Sequence, residues 1–429
     1  MAKFERRLWH GDPSGMSRKD RQPCEYQVYI PDNLVHRTFS LEGGVSADVV
    51  DAESALVRFN ADASSLVNTE ALARILLRAE SVASSKIEGL VIGARRILRA
   101  EVENSIDGSA TDVTATEVLA NIQAMVYGIE QIEKDKPITL KLILSIHERL
   151  LAGTKLSEYG GKLREEQNWI GGSDFNPCSA NYVPPPWELV KGLMEDLIAF
   201  CNSEDLPAVA QAAIAHAQFE TIHPFIDGNG RTGRILIQLI LRRRGLAMRV
   251  SPPVSLILAT WAKDYVSGLT ATRYIGEHFS AEALEGTNTW VGRFAAACSR
   301  SVIDAMEFEA RAQKIENEWR SRLMNVRKGS STDLLLQKLV GAPVLTVKSA
   351  SMLTGKTLSA TNKAINQLVA AGILHQVGIG GRNRAYEAPE IIEAFSDLER
   401  QLASPEGDTR NSKPTRHVPA RIKKNNQEE

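Results

Sequence analysis

The chain has 429 residues, 43% hydrophobic and 24% charged, with 51 Lys and Arg against 52 Asp and Glu for a net charge of −1. That length allows two or three domains, the composition is that of a globular chain with a sizeable core, and the near-neutral balance argues against a protein that coats nucleic acid. No apolar run is long enough to span a bilayer, and the opening Met1-Ala2-Lys3-Phe4-Glu5-Arg6-Arg7 lacks the apolar core of a signal peptide, so no membrane partner and a cytoplasmic location are expected.

In chain order, residues 1–46 are proline-punctuated and read as irregular. Leu72, Ile75, Leu76, Ala79, Val82, Ala83 and Ile87 then recur at three- and four-residue steps, which predicts an amphipathic helix over 70–87 stopped by Gly89. Helical spacing also marks 112–134, 139–152, 187–202, 208–222, 231–243, 256–272 and 289–322. Gly160-Gly161-Lys162-Leu163-Arg164, Trp169-Ile170-Gly171-Gly172 and Tyr182-Val183-Pro184-Pro185-Pro186 are short apolar pieces bounded by turn residues, a hairpin by pattern. Arg242, Arg243 and Arg244 close a helix just before Gly245, where cations complement the dipole, so they read as structural. Beyond 330, helical patterns at 333–340, 347–354 and 358–371 precede a strand, a glycine turn and a second strand, and the polar residues after Leu402 are expected to be disordered. Cys24, Cys178, Cys201 and Cys298 show neither C-x-x-C nor zinc-ligand spacing and are expected to be reduced, mostly buried thiols.

The densest chemistry lies in His223-Pro224-Phe225-Ile226-Asp227-Gly228-Asn229-Gly230-Arg231-Thr232-Gly233-Arg234, a loop between two helical patterns. Glycines let successive backbone N–H groups converge, and the following helix contributes its positive end, which together make an anion cradle. Two guanidiniums suit phosphate oxygens, Asp227 could hold a Mg²⁺ that bridges phosphates, and His223 is a base available near neutral pH. Gly228 to Gly233 also fits G-x-G-x-x-G, but a helix precedes it and no acidic residue lies about 20 residues on, so the dinucleotide reading fails; no P-loop occurs.

At these residues the chain resembles the Fic family, whose signature H-P-F-x-[DE]-G-N-G-R-x-x-R is filled at every fixed position. The resemblance implies transfer of AMP from ATP to a Ser, Thr or Tyr hydroxyl of a protein, releasing pyrophosphate. By position, His223 is the general base, Asp227 the magnesium ligand, and Gly228, Asn229 and Gly230 the anion cradle, with Thr232 and Gly233 in the same phosphate-binding turn. Arg231 neutralises phosphate charge, Arg234 holds the γ-phosphate, and Phe225 packs inward. A branch that transfers phosphate carries Lys at the position of Gly230, so the resemblance favours nucleotidyl transfer.

Ser84-Ser85-Lys86-Ile87-Glu88-Gly89 is similar to the family's inhibitory motif [ST]-x-x-x-E-[GN], which implies that Glu88, with Ser84, occupies Arg234 in a resting state. The hairpin after Gly160 resembles the family's flap, on which targets dock by strand pairing. Trp261 and Tyr265 fall in the region near the nucleotide in relatives and could stack on adenine, but their four-residue helical spacing reads as core.

The C-terminal order resembles a winged helix, with 358–371 as recognition helix and Arg382 and Arg384 on the wing. Seven Lys and Arg against six Asp and Glu over 330–400 leave DNA binding and protein docking both open. The expectation is therefore a mainly α chain: an N-terminal extension and inhibitory helix (1–110), a Fic helical fold with a small β-hairpin flap (111–300), a helical linker (301–329), a winged-helix-like domain (330–400) and a tail (401–429). An autoinhibited adenylyltransferase that also modifies itself, with a possible homodimer by resemblance, is the leading reading. Removal of AMP from modified proteins through Glu88, and a DNA-binding regulator, are the alternatives.

Overall fold

A computed structural model describes residues 1–11, 17–18, 20–62, 69–107, 112–323, 325–379 and 383–400. The chain opens with a hairpin, β1 (Lys3–Trp9) against β2 (Cys24–Ile30), in the register Lys3↔Ile30 to Trp9↔Cys24. This corrects the irregular reading of 1–46. Phe4 and Leu8 of β1 are 46% and 54% exposed, so the hairpin carries little inward–outward alternation from which it could be recognised. Its anchors are distant: Tyr29 donates its hydroxyl to Tyr274 O at 2.8 Å, and Ala2 bridges Gly276.

The body follows as α1 (Gly43–Asp62), α2 (Thr69–Ile87), α3 (Ala94–Asp107), α4 (Val113–Gln131), α5 (Leu140–Leu151), α6 (Trp187–Cys201), α7 (Ala208–Ile222), α8 (Asn229–Arg243), α9 (Val254–Thr260), α10 (Ala262–Ala271) and α11 (Ala281–Arg322). Asp112 and Thr139 cap α4 and α5 with side-chain oxygens. The expected 256–272 helix is broken at Trp261 into α9 and α10, and α1 and α3 were not anticipated as separate helices. Every residue of α7 is buried. A helix buried all round lies at the centre of the core, and α6, α8 and α11 enclose it, with Trp290 Nε1 donating to Ala213 O at 2.7 Å. Arg242, Arg243 and Arg244 donate to Ile132 O, Asn202 O and Leu206 O, the structural role expected of them.

α11 runs unbroken into the C-terminal module, α12 (Ser331–Leu339), β3 (Val344–Leu345), α13 (Val347–Thr354), α14 (Leu358–Ala370), β4 (His375–Ile379), β5 (Asn383–Glu387) and α15 (Pro389–Arg400). Three helices and an antiparallel sheet of order β3-β5-β4 make the winged-helix-like arrangement; β3 and α15 were not anticipated. Arg382 and the tail lie outside the described residues.

The flap is less regular than expected: a single bridge, Ile170↔Tyr182, replaces the hairpin, and β2 joins it through Tyr29 N–H to Val183 O at 3.0 Å. The cysteine reading is also corrected. Cys24 and Cys178 form a disulfide between β2 and the short 3₁₀ turn Pro177–Ser179, while Cys201 and Cys298 are free and buried. The bonded pair is 154 residues apart in sequence, so no local spacing announces it. No helix among the described residues is long and apolar enough to cross a membrane.

Candidate active site

His223 ends α7 in the left-handed region, φ 50°, with its N–H on Phe219 O at 2.9 Å. A side chain with a Cβ disfavours that region, so surrounding structure must hold it there. Arg164, 2% exposed, supplies the hold: Nε donates to His223 O at 2.9 Å, Nη2 to Pro185 O at 2.5 Å, and its own N–H to Pro224 O at 2.9 Å. His147 fixes the far side of the loop. Gly161 N–H donates to Nδ1 at 3.1 Å, so the proton sits on Nε2, which donates to Asp227 O at 2.9 Å. Burial pushes this imidazole down to about 4, and its ring stacks on Phe225 at 3.7 Å.

The side chain of Asn229 turns into the loop, its amide donating to and accepting from the Phe225 backbone at 2.8 Å each. These two bonds close the 225–229 turn. Gly228, φ 77°, is required because a Cβ there would lie 2.9 Å from Leu150 Cδ2. The 223–229 turn thus aims the N-terminus of α8 at the space beside His223.

Arg231, its side chain 4% exposed, donates Nη2 to Asp227 Oδ2 at 3.1 Å. Its Nε and Nη1, and Thr232 Oγ1, are buried without a hydrogen-bond partner among the described residues. Buried donors left unmade are costly, so an anion at this helix end would satisfy groups that the fold leaves open. Asp227 stands at the rim, 47% exposed. Among the described residues no three His, Cys, Asp or Glu cluster as metal ligands. A single rim carboxylate does fit Mg²⁺, which is commonly held by one or two carboxylates together with substrate phosphates. Burial, then the Arg164 charge, pushes the His223 imidazole down to about 4, so it is neutral and able to accept a proton at pH 7.

α2 and the residue after it bring Ser84 and Glu88 to the same place. Arg234, 1% exposed, donates Nε to Ser84 Oγ at 2.9 Å, and Nη2 to Ser84 O at 2.8 Å and Glu88 Oε1 at 2.7 Å. Burial raises the Glu88 carboxyl, but the charge and hydrogen bond of Arg234 outweigh it and hold the group below its usual range. A Cβ on Gly230 would overlap Glu88 Oε1, so glycine there admits this contact. Asn121 of α4 keeps α2 seated through Ser81 O at 2.8 Å and Ser85 Oγ at 3.0 Å.

His223, Asp227, Gly228, Gly230, Arg231, Arg234, Ser84 and Glu88 therefore surround one space, while Gly233 faces His216 and Glu220 behind it. Sequence reasoning missed Arg164 and His147 as loop-holding groups. Arg164 stood in a quoted stretch, but nothing near it in sequence shows which carbonyls it would reach.

A helical body that gathers a glycine turn, a helix N-terminus and two buried arginines beside one histidine has the layout to which the loop signature pointed. Residues 46–130 match the Fic/DOC family N-terminal model and residues 137–241 the Fic/DOC family model. Among curated relatives, Protein adenylyltransferase Fic of Drosophila virilis and of Drosophila ananassae are each 34% identical over 208 residues. That segment is 48% of this chain but only 37% and 36% of theirs. A solved Fic family protein from Desulfovibrio desulfuricans shares the fold, with a TM-score of 0.51 at 19% identity, covering 82% of this chain and 97% of that one.

Proposed function

We propose that the protein transfers AMP from ATP to a Ser, Thr or Tyr hydroxyl of a protein, releasing pyrophosphate, and that Glu88 inhibits the reaction. The observation that carries this reading is the set of buried donors on Arg231 and Thr232 at the N-terminus of α8 that lack a hydrogen-bond partner among the described residues, Arg231 Nη1 having only a long ion-pair contact with Glu117 at 3.9 Å, beside a neutral His223. His223 takes the proton of the attacking hydroxyl as its oxygen bonds to the α-phosphorus and the bond to the pyrophosphate oxygen breaks. Arg231 and the α8 amides balance the charge that moves onto the phosphates, and Arg234 aligns the γ-phosphate. Mg²⁺ on Asp227, when bound, would add charge neutralisation for the leaving group. The gain comes from positioning and electrostatics, and the base adds about 10²–10⁴-fold.

Incubation with ATP labelled on the α-phosphate tests the reading: His223→Ala should lose protein labelling by at least that factor while still binding ATP. Near-normal labelling would refute the role. Glu88 reaches the same loop, where a Cβ on Gly230 would overlap its Oε1, so removal of AMP with Glu88 orienting a water is the second reading. Release of free AMP from an AMP-modified protein by the wild type would identify it.

The substrate is a protein, including this chain itself, whose own hydroxyls are at high effective concentration; a homodimer fits the same scheme. We divide the chain as 1–110, 111–300, 301–329, 330–400 and 401–429, with 330–400 taking DNA or protein. In the cytoplasm, our assigned location, the Cys24–Cys178 bond would be redox-responsive, whereas in an oxidising compartment it would be permanent.

A further inference from the structure

Arg234 makes a fourth side-chain contact that does not come from the inhibitory helix: Nη1 lies 3.4 Å from Tyr265 OH, on α10. Tyr265 is 5% exposed, stacked on His216 at 5.8 Å and tilted against Trp290 at 5.9 Å, so its ring is fixed. Its hydroxyl is 2.7 Å from His216 Nε2. Arg234 offers donors only, so the hydroxyl must accept from it and can direct its own proton only to His216. That requires Nε2 to be bare, and burial, then the charge of Arg234, keeps this imidazole neutral, pushed down to about 3. Nδ1 then faces Glu220 Oε1 at 4.0 Å, in a space that Gly233 leaves open, since a Cβ there would lie 2.7 Å from Glu220 and 3.1 Å from His216.

We propose that Tyr265 is a positioning residue that holds Arg234 in its γ-phosphate orientation once α2 withdraws, with His216 fixing the direction of the hydroxyl. This rests on the nucleotide reading above and adds a residue to it. While α2 is seated, Ser84 and Glu88 supply three of the four contacts, so Tyr265 is redundant. After release it is the one that remains.

Calorimetric binding of ATP and ADP to wild type, Tyr265→Phe, Glu88→Gly and the double variant tests this without requiring transfer. Tyr265→Phe should weaken ATP binding about 3–10-fold in the Glu88→Gly background, less than about twofold with Glu88 present, and leave ADP unchanged in both. His216→Phe, a second route to the same loss, should reproduce the ATP-selective effect if the first variant folds poorly. Equal losses for ATP and ADP would make Tyr265 an adenine contact and overturn the proposal, as would no loss at all. If ATP binds none of the proteins, the nucleotide reading falls with it.

A separate set of contacts concerns the outer face of α2. Its inner face carries Ser84 and Glu88, while its outer face meets the C-terminal module: Glu70 pairs with Lys338 at 2.5 Å and Arg78 Nη1 donates to Gly341 O at 2.8 Å. Gly341 approaches so closely that a Cβ would lie 2.6 Å from Ala71 Cα. Next to α2, Arg99 of α3 grips the buried Glu387 at 2.9–3.1 Å. We infer that the winged-helix-like module is a clamp that keeps Glu88 on Arg234. Gly341→Leu should lift the clamp and raise self-labelling several-fold, with no further rise in the Glu88→Gly background, and speed hydrogen exchange of the α2 amides. Arg78→Ala is the milder variant should Gly341→Leu not fold. Unchanged exchange in α2 would overturn the inference, and so would equal activation in both backgrounds. If Glu88→Gly itself shows no labelling, the transferase reading fails, and the exchange result alone decides the clamp.

Discussion

Replacing Glu88 with glycine removes the one carboxylate bonded to Arg234 and shifts the pair toward the released state, in which Tyr265 is the contact left on the guanidinium. A hydrogen bond to a charged group contributes about 1.5–3 kcal/mol, and breaking a buried pair costs more. Glu88 is 36% exposed, so solvent screens part of the interaction, and about 1–2 kcal/mol is the fitting magnitude. That corresponds to roughly a 5–30-fold shift toward the released state. Labelling of the protein itself and of lysate proteins with α-labelled ATP should rise by about that factor over wild type. Arg234→Ala in the same background should cancel the gain, because the freed group no longer exists. A Glu88→Gly protein no more active than wild type would refute autoinhibition through this pair, whatever the fate of the transferase assignment.

Three further outcomes are expected. The acid limb of the transfer rate in Glu88→Gly should lie well below the ordinary histidine range: the His223 imidazole sits at about 4, activity is lost as pH falls through that value, and removing Glu88 takes away a charge that raises it. A limb near 6.5 would contradict the burial argument. Glu80, fully buried on α2 and accepting from Ser255 N–H and Oγ at 2.7 and 2.6 Å, is pushed up to about 7 by burial. A raised carboxyl stabilises the fold below its unfolded value of about 4.5, and that contribution falls by up to about 1.4 kcal/mol per unit between there and 7, levelling off above it. Glu80→Gln, which does not titrate, should therefore gain on wild type in melting temperature between pH 4.5 and 7 and keep a constant difference above that, and a difference already constant across pH 4.5–7 would refute the assignment. Cys24→Ser, or reduction, should destabilise the protein by about 2–4 kcal/mol in denaturant titrations, because the bond closes a loop spanning 154 positions; coincident curves would show that it stabilises nothing.

The sequence by itself determined the helical body, the place of the 223–234 loop and the helix α2. Period 3.6 is a local property, and α7 and α13 fall where the spacing put them. His223, Asp227, Arg231 and Arg234 are close in sequence, so the helices flanking the loop largely dictate their grouping. The meeting of Ser84 and Glu88 with Arg234, about 150 positions away, was readable only because a second motif named it. The tertiary structure alone decided the rest. Arg164 and His147 act on backbone carbonyls, and a carbonyl carries no residue identity that a sequence could advertise. The hairpin of β1 and β2 is held by Tyr274 and a disulfide to the flap, partners that local patterning does not encode. Tyr265 has the helical spacing of a core aromatic, and it is one; only packing shows that its hydroxyl ends on Arg234. The outer face of α2 likewise reads as ordinary surface until Gly341 is found against Ala71, because a docking face between distant segments is a property of three-dimensional approach and leaves no periodic trace.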